Sequence, residues 1–301
     1  MNDKKEYLNL IEKEIVNYEV TKQVKNYSIN KSDLLSKYNI GKILAEANNY
    51  YGAGIIKEYS IYLTKKYGKG YKLTNLKYFR QFYLYIENGH SLSDQLTITH
   101  YRALLSIKDI NESNYYIWIT IKENLSVSNL RKRIKSNEYE RLDEDTRNKL
   151  ISNNESNELT VTSLVKNPIL IKNTSNNKDI NEKILQGLIL EDISSFMKEL
   201  GEGFCFIDNE YKIRVGNNFN YIDLLLFNIK YNCYVVIELK VTELKKEHIG
   251  QIMLYKNYID NTLKTINQDN TIGIIICKED NEYIIAYSSD SRVISRTYEL
   301  I

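Results

Sequence analysis

The sequence predicts two folded units: a helical N-terminal domain over residues 1–142 and a C-terminal α/β domain with a mixed sheet over residues 179–301. A polar linker with one docked apolar segment, residues 143–178, joins them. Three observations carry this reading. Apolar residues recur at three- and four-residue steps through the first half, the helical period. Near-continuous apolar runs rich in β-branched and aromatic residues follow in the last third, the mark of strands. Between them the composition turns to Asn, Ser, Asp and Glu. With 301 residues, each unit is long enough to bury its own core.

Composition narrows the function classes. A net charge of +2 makes the chain no polycation, so any affinity for nucleic acid must come from local basic surfaces. Cys205, Cys233 and Cys277 are odd in number and lie in or beside apolar stretches, as free thiols in a reducing cytoplasm do. Met1 to Glu6 lead into no apolar run, and no stretch reaches the roughly 18 apolar residues that span a bilayer. Neither secretion nor membrane insertion is expected. The 26 Tyr residues are read as genomic drift and carry no argument.

Residues 7–50 read as helix, through Leu8, Ile11, Ile15 and Tyr18 and then Leu34, Leu35, Tyr38, Ile43 and Leu44. Gly52-Ala53-Gly54 interrupts the pattern. A helix from Ile55 to about Tyr67 follows, then a turn at Gly68-Lys69-Gly70, then a helix capped by Thr74 that turns Leu76, Phe79, Tyr83 and Ile86 inward. Helix, short Gly turn and helix give the outline of a helix-turn-helix, as do any two packed helices joined by Gly. In that outline Lys72, Asn75, Lys77, Tyr78 and Gln81 face outward, types suited to phosphates and base edges. Further helices open near Thr99, carry Tyr115, Tyr116, Trp118 and Ile119, and start at Ser126 or Ser128. The last holds Arg131, Lys132, Arg133 and Lys135, with Arg141 and Arg147 beyond. A run of this kind is a solvated helix face or a phosphate-contacting surface. His90 and His100 lack partners at metal-ligand spacing and read as ordinary residues.

The linker contains Ser152–Asn157 and Asn173–Asn177, with Val161 to Ile171 and the lone Pro168 as the docked segment. One helix is expected from Ile184 to Leu200, ended by Gly201, with Glu191 off its apolar stripe. Strands are expected at Phe204–Ile207, Tyr211–Val215, Ile222–Phe227 and Tyr234–Leu239, and a helix from about Lys246 to Tyr258. A strand over Ile272–Ile276 reads as buried on both faces and pairs in parallel through a crossover. A further strand is expected at Tyr283–Tyr287.

Charges inside two of these strands point to chemistry. Asp223 interrupts the run Tyr221 to Phe227, and Glu238 and Lys240 close the run Tyr234 to Leu239. An ionised group in a buried strand costs several kcal/mol unless it is paired or holds a metal. Glu238 and Lys240 share parity, so both leave one face, where the neighbouring strand can bring Asp223. Glu243-Leu244-Lys245 spells the same triplet after the apolar run has ended, in a segment free to be solvated. Asp, Glu, a backbone carbonyl and water form the all-oxygen setting of Mg²⁺ or Mn²⁺, and the lack of Cys and His argues against zinc. Lys240, held charged, would orient or deprotonate a water during phosphodiester hydrolysis. The competing reading is a buried ion set that only fixes strand register.

Asp223, Glu238-Leu239-Lys240 and Gln251 with Tyr255 one turn later resemble the PD-(D/E)XK nuclease superfamily, with its Asp, Glu-x-Lys and Gln-x-x-x-Tyr. Gly201-Glu202-Gly203-Phe204, Asn220 to Leu225, Tyr234 to Lys240, Gly250-Gln251 and Thr271 to Ile275 are similar to its YhcG-like branch of two-part bacterial proteins. Tyr67 to Tyr71, Asn75-Leu76 and Arg80 to Tyr83 extend the likeness into the first half. The resemblance implies a restriction-endonuclease-like fold, with metal ligation by Asp223, Glu238 and the Leu239 carbonyl and water positioning by Lys240. It implies Glu191 as the first acidic residue, Gln251 and Tyr255 as phosphate or water contacts, and a helical DNA-binding N-terminal half. Ile222 stands where the superfamily's eponymous Pro precedes the Asp. The expectation is a cytoplasmic Mg²⁺-dependent DNA endonuclease, with Mn²⁺ as an alternative ion, whose N-terminal domain selects substrate or protein partner and which dimerises or acts twice to cut both strands. Its rivals are a non-catalytic nucleic-acid-binding or assembly protein and a transcription regulator acting through residues 55–87.

Overall fold

Among the described residues, seven α-helices in the N-terminal unit follow the helical period of the sequence: α1 (Lys4–Gln23), α2 (Ile29–Tyr51), α3 (Gly54–Tyr67), α4 (Leu73–Glu87), α5 (Ile98–Leu104), α6 (Ile110–Lys122) and α7 (Val127–Lys135). The computed structural model describes residues 4–23, 29–52, 54–151, 159–174, 176–177, 179–286 and 290–301. It divides into a unit of Met1–Tyr139 and one of Glu140–Ile301. In the first, Ile11 and Ile15 of α1, Leu44 of α2, Tyr59 and Leu63 of α3, and Leu76 and Phe79 of α4 share one core. α2 and α4 approach closely at Gly41, where a Cβ would lie 2.1 Å from the Phe79 carbonyl oxygen. Only glycine fits there.

Side chains of Thr97, Asp109 and Ser126 cap α5, α6 and α7, each accepting a backbone N–H three residues on. α4 departs from expectation. It begins after Lys72 with no side-chain cap, so Thr74 lies inside the helix, and its buried face is Leu76, Phe79, Phe82 and Tyr85. Tyr83 and Ile86 are only half-buried. The three-residue ladder rotates the apolar face by one position relative to the expected one. Gly68 and a 3-10 turn, Lys69–Tyr71, connect α3 to α4.

The second unit contains α8 (Glu144–Ile151), β1 (Ile169–Ile171), α9 (Glu182–Glu191), α10 (Ile193–Leu200), β2 (Phe204–Val215), β3 (Asn218–Asn228), β4 (Cys233–Leu239), α11 (Lys246–Thr262), β5 (Asp269–Cys277), α12 (Glu282–Ala286) and β6 (Val293–Leu300). The strands form one sheet in the order β1-β6-β5-β4-β3-β2. β1, β6, β5 and β4 run parallel, and β3 and β2 complete the sheet as antiparallel neighbours. The parallel step from β4 to β5 needs a long crossover, and α11 supplies it. Register partners Leu224 and Ile237 face a core that includes Leu188 of α9 and Phe196 of α10. Their neighbours Leu225 and Val236, also partners, pack with Ile252, Tyr255 and Ile259 of α11. Helices therefore cover both faces, which is why β4 and β5 read as unbroken apolar runs.

Four expectations change here. The single helix over 184–200 is two, because the Asp192 side chain accepts the Ser195 N–H and starts α10 afresh. The two strands expected between Phe204 and Val215 are one, bulged between Phe206 and Asp208. The segment expected as strand from Tyr283 is helix α12, with Tyr287 outside the described residues. The docked segment of the expected linker contributes β1, which extends the sheet beside β6, and Arg141 ties it down. Ser152–Asn157 lie outside the described residues. Among the described residues no helix is long and apolar enough to cross a membrane.

Candidate active site

β3 and β4 bring the strand charges together. Leu224 pairs with Ile237, so one further step of the antiparallel register sets Asp223 opposite Glu238. The Leu239 N–H donates to Asp223 Oδ2 at 2.7 Å, closing this end of the hairpin. Glu238 is 2% exposed, and its Oε1 accepts Lys240 Nζ at 2.8 Å. Its Oε2 is buried with no hydrogen-bond partner. An orphaned carboxylate oxygen in a protein interior is costly and calls for a reason.

The electrostatics follow from this crowding. Burial, then the negative charge of Asp223, pushes the Glu238 carboxyl up to about 7 against the opposing pull of Lys240. Burial also raises Asp223, opposed by the Leu239 N–H and Lys240. For Lys240, burial acts to lower the pKa, but the bond to Glu238 and the charges of Glu238, Glu182 and Asp223 prevail and raise it. The lysine stays protonated.

One stripe of α11 faces these groups. Gln251 Nε2 donates to the Tyr255 hydroxyl at 2.9 Å. Burial raises the Tyr255 pKa, opposed by the Gln251 bond and reinforced by the charges of Glu238 and Asp223. His248, one turn earlier, accepts the Lys245 N–H on Nδ1 at 3.1 Å. That bond leaves the proton of the neutral ring on Nε2. Burial, then Lys240, lowers the His248 pKa, which favours that neutral ring. Sequence reasoning passed over His248, although its spacing of three and seven residues from Gln251 and Tyr255 marks the same helix face.

Glu191 does not join the cluster. It accepts the Thr174 hydroxyl at 2.6 Å, at the far end of α9. Glu182, the first residue of that helix, reaches Lys240 Nζ at 3.4 Å instead. The two lie about 13.5 Å apart along the helix axis at 1.5 Å per residue. Gln186, one turn after Glu182, donates from Nε2 to the Asp223 carbonyl at 2.9 Å. The first acidic residue of the arrangement is thus Glu182, set by the Asn181 cap that starts α9. Glu243 and Lys245, the second copy of the triplet, are exposed.

Residues 162–299 match the family model of the YhcG PDDEXK nuclease domain, and residues 13–141 match the DUF1016 N-terminal domain. The chain thus carries a DUF1016-type N-terminal domain followed by a YhcG-type PDDEXK nuclease domain. The Escherichia coli (strain K12) protein named "Putative nuclease YhcG" is 24% identical over 269 residues, covering 78% of this chain and 72% of that one. A repair endonuclease from Pyrococcus abyssi aligns at 17% identity and TM-score 0.29, over 42% of this chain and 49% of that chain. A structure titled as an EndoMS–dsDNA2 complex aligns at 14% identity and TM-score 0.28, over 42% and 48%. This chain spans just under half the length of each of those solved chains.

In the DUF1016 N-terminal domain, Lys72, Lys77 and Gln81 of the expected reading surface are exposed. Asn75 is committed elsewhere: its Nδ2 donates to the Gly70 carbonyl at 2.9 Å, and its Oδ1 accepts Arg102 Nη2 at 2.8 Å. On α7, Arg131, Lys132 and Lys135 are exposed, but Arg133 is not a free cation. It is bonded to Glu123 and, at 3.1 Å, to Glu138, which also accepts the Tyr115 hydroxyl at 2.8 Å. Arg141, in the nuclease unit, is buried against Glu199 and the Pro168 carbonyl. Both arginines neutralise nearby carboxylates within their own units, so neither adds to a phosphate-contacting surface.

The nuclease domain's donor set suits a hard divalent ion. Among the described residues no three His, Cys, Asp or Glu side chains make a ready metal cluster. The available donors are the carboxylates of Asp223 and Glu238 and the Leu239 carbonyl, all oxygen, which favours Mg²⁺ or Mn²⁺ over zinc. Glu238 Oε2 fits such an ion, since a buried carboxylate oxygen without a protein partner is a group that a bound cation would satisfy.

Proposed function

We propose that this nuclease hydrolyses internal phosphodiester bonds of DNA with Mg²⁺ or Mn²⁺ as cofactor. The observation behind this is the buried Glu238 carboxylate, one oxygen bonded to Lys240 and the other without a partner, beside Asp223. Asp223, Glu238 and the Leu239 carbonyl would hold the ion. When bound, it supplies positive charge that screens the phosphate and makes a water more acidic.

The side chains have separate tasks. Lys240, kept charged by Glu238 and Glu182, orients the attacking water and meets the negative charge that develops on the phosphate. Gln186 holds the backbone at Asp223 and so fixes where that carboxylate sits. Gln251 and Tyr255 contact the phosphate or the water from α11, their mutual bond holding both in place. Lys72, Lys77, Gln81, Arg131, Lys132 and Lys135 offer the DUF1016 N-terminal domain exposed groups for nucleic acid, while the same domain is also the candidate for binding a protein partner. One site per chain cuts one strand, so a double-strand cut takes a homodimer or two events. A cytoplasmic role in defence, mobile-element biology or DNA processing fits such an activity.

A cleavage panel over duplex, single-stranded and branched DNA and RNA, with Mg²⁺, Mn²⁺ and chelator, tests the reading. Asp223→Ala and Lys240→Ala are expected to lose cleavage while binding persists. Absence of metal-dependent cleavage by the wild type on every substrate would refute catalysis and leave a binding protein.

A further inference from the structure

The ribbon of β2 and β3 outruns the rest of the sheet. β4 pairs with β3 only over Leu224–Asn228, whereas β2 stays paired out to Val215 opposite Asn218. Gly216 (φ 62°) and Asn217 make the connecting two-residue turn, the first in the left-handed region that suits glycine. Across the ribbon Lys212 lies opposite Tyr221, and Arg214 opposite Phe219. Phe219 is 55% exposed and Tyr221 51%. Both cations are exposed too, with Lys212 Nζ 3.9 Å from the Phe219 ring centre. From Tyr211 to Ile222 there is no carboxylate.

This arm leads straight into the candidate active site. Tyr221 leaves β3 on the same side as Asp223, two residues and about 7 Å away, with Phe219 about 7 Å further on. Exposed aromatic rings on a projecting ribbon invite aggregation unless a partner covers them. Alternating rings and cations have a specific partner chemistry: unpaired bases stack on the rings while the cations take the phosphates. In a continuous duplex the base faces are already stacked on each other, and the rings would have nothing to hold.

We infer that the β2–β3 arm is a stacking platform for unpaired nucleotides next to the phosphate that is cut, so that the substrate carries a single-stranded stretch. This rests on the nuclease reading above. Phe219 and Tyr221 take bases; Lys212 and Arg214 take the adjoining phosphates.

The test measures binding of the full chain, in chelator, to a short oligothymidylate, to a blunt duplex of equal length and to that duplex with a single-stranded tail. Cleavage of the same substrates is then followed with Mg²⁺. Phe219→Ala with Tyr221→Ala is expected to weaken single-strand and tailed binding about tenfold per ring and leave blunt duplex unchanged. Phe219→Tyr with Tyr221→Phe keeps the rings and should restore it. Lys212→Ala with Arg214→Ala should lower the slope of log affinity against log salt by about 1.4, for two single-strand phosphates at about 0.7 each. The inference is overturned if the ring variant binds oligothymidylate like the wild type, or if the wild type prefers blunt to tailed duplex. Metal-dependent cleavage that ignores the ring substitutions removes the platform and leaves the nuclease reading intact. Ring-dependent binding without any cleavage does the reverse.

Discussion

Glu238→Gln is expected to abolish cleavage and yet stabilise the protein above neutral pH. The carboxyl sits at about 7 against an ordinary 4.5. At roughly 1.4 kcal/mol per tenfold change in ionisation, the charged form costs the folded state about 3 kcal/mol. The sign follows from proton counting: between the two values the folded state binds more protons than the unfolded one, so stability falls as pH rises from about 4.5 to about 7. Above that range the full cost is present. Glutamine removes the charge but keeps an oxygen for Lys240, which also retains Glu182 at 3.4 Å. The value of about 7 already includes the pull of Lys240, but the amide N–H₂ that takes the place of the partnerless Oε2 offsets part of the gain, leaving about 1–2 kcal/mol. For a unit of this size that is a rise in Tm of several degrees at pH 8, and little or none at pH 5. Calorimetry of wild type and variant at both pH values, with and without Mg²⁺, measures it. Mg²⁺ should raise the wild-type Tm more than the variant's. A variant less stable than wild type at pH 8, by the same margin as at pH 5, would refute the argument that this carboxylate is held charged at a cost.

Glu182→Gln should slow cleavage about 10–100-fold, the usual effect of losing a partner that orients an active group, while Glu191→Gln stays within twofold of wild type. Equal effects in a steady-state assay would return Glu191 to the site. Gly41→Ala should destabilise the N-terminal unit by about 3 kcal/mol in urea unfolding, since its Cβ would meet backbone at 2.1 Å and neither helix can yield without repacking. Asp290→Asn should cost about 3 kcal/mol at pH 7, because it strips the fully buried Lys256 of its partner at 2.8 Å. Arg292, then Lys256, holds the Asp290 carboxyl far below the usual carboxylate range against the effect of burial. The stability this gives is present above the unfolded value near 4 and is lost as pH falls through the lower folded one, so the gap between wild type and variant should narrow in strong acid.

Much of this architecture was legible because its signals are local. Apolar periodicity marked the helices of the first half, and the β-branched runs marked β3, β4 and β5. The charges at Asp223, Glu238 and Lys240 stood out because each broke an apolar strand run. Local signals also misled. The apolar stripe from Ile184 to Leu200 read as one helix, but the Asp192 side chain within it caps a second. Arg133 looked like one cation of a basic face, but Glu123 and Glu138, ten residues before and five after, claim it.

The order of elements, the helical and α/β halves, and the strand ends where charge is costly can be read from the residues alone, since each depends on side-chain period and on the penalty for burying an ion. Tertiary structure alone decided which acid from the preceding helix reaches Lys240. Either end of α9 carries a glutamate, and the packing of that helix against β4 brings Glu182 in and leaves Glu191 with Thr174. It also decided that the α11 face carrying His248, Gln251 and Tyr255 lies toward Lys240, Glu238 and Asp223, and that one oxygen of Glu238 has no protein partner. These are facts of distance between segments far apart in the chain, and residue spacing along one segment carries no measure of them.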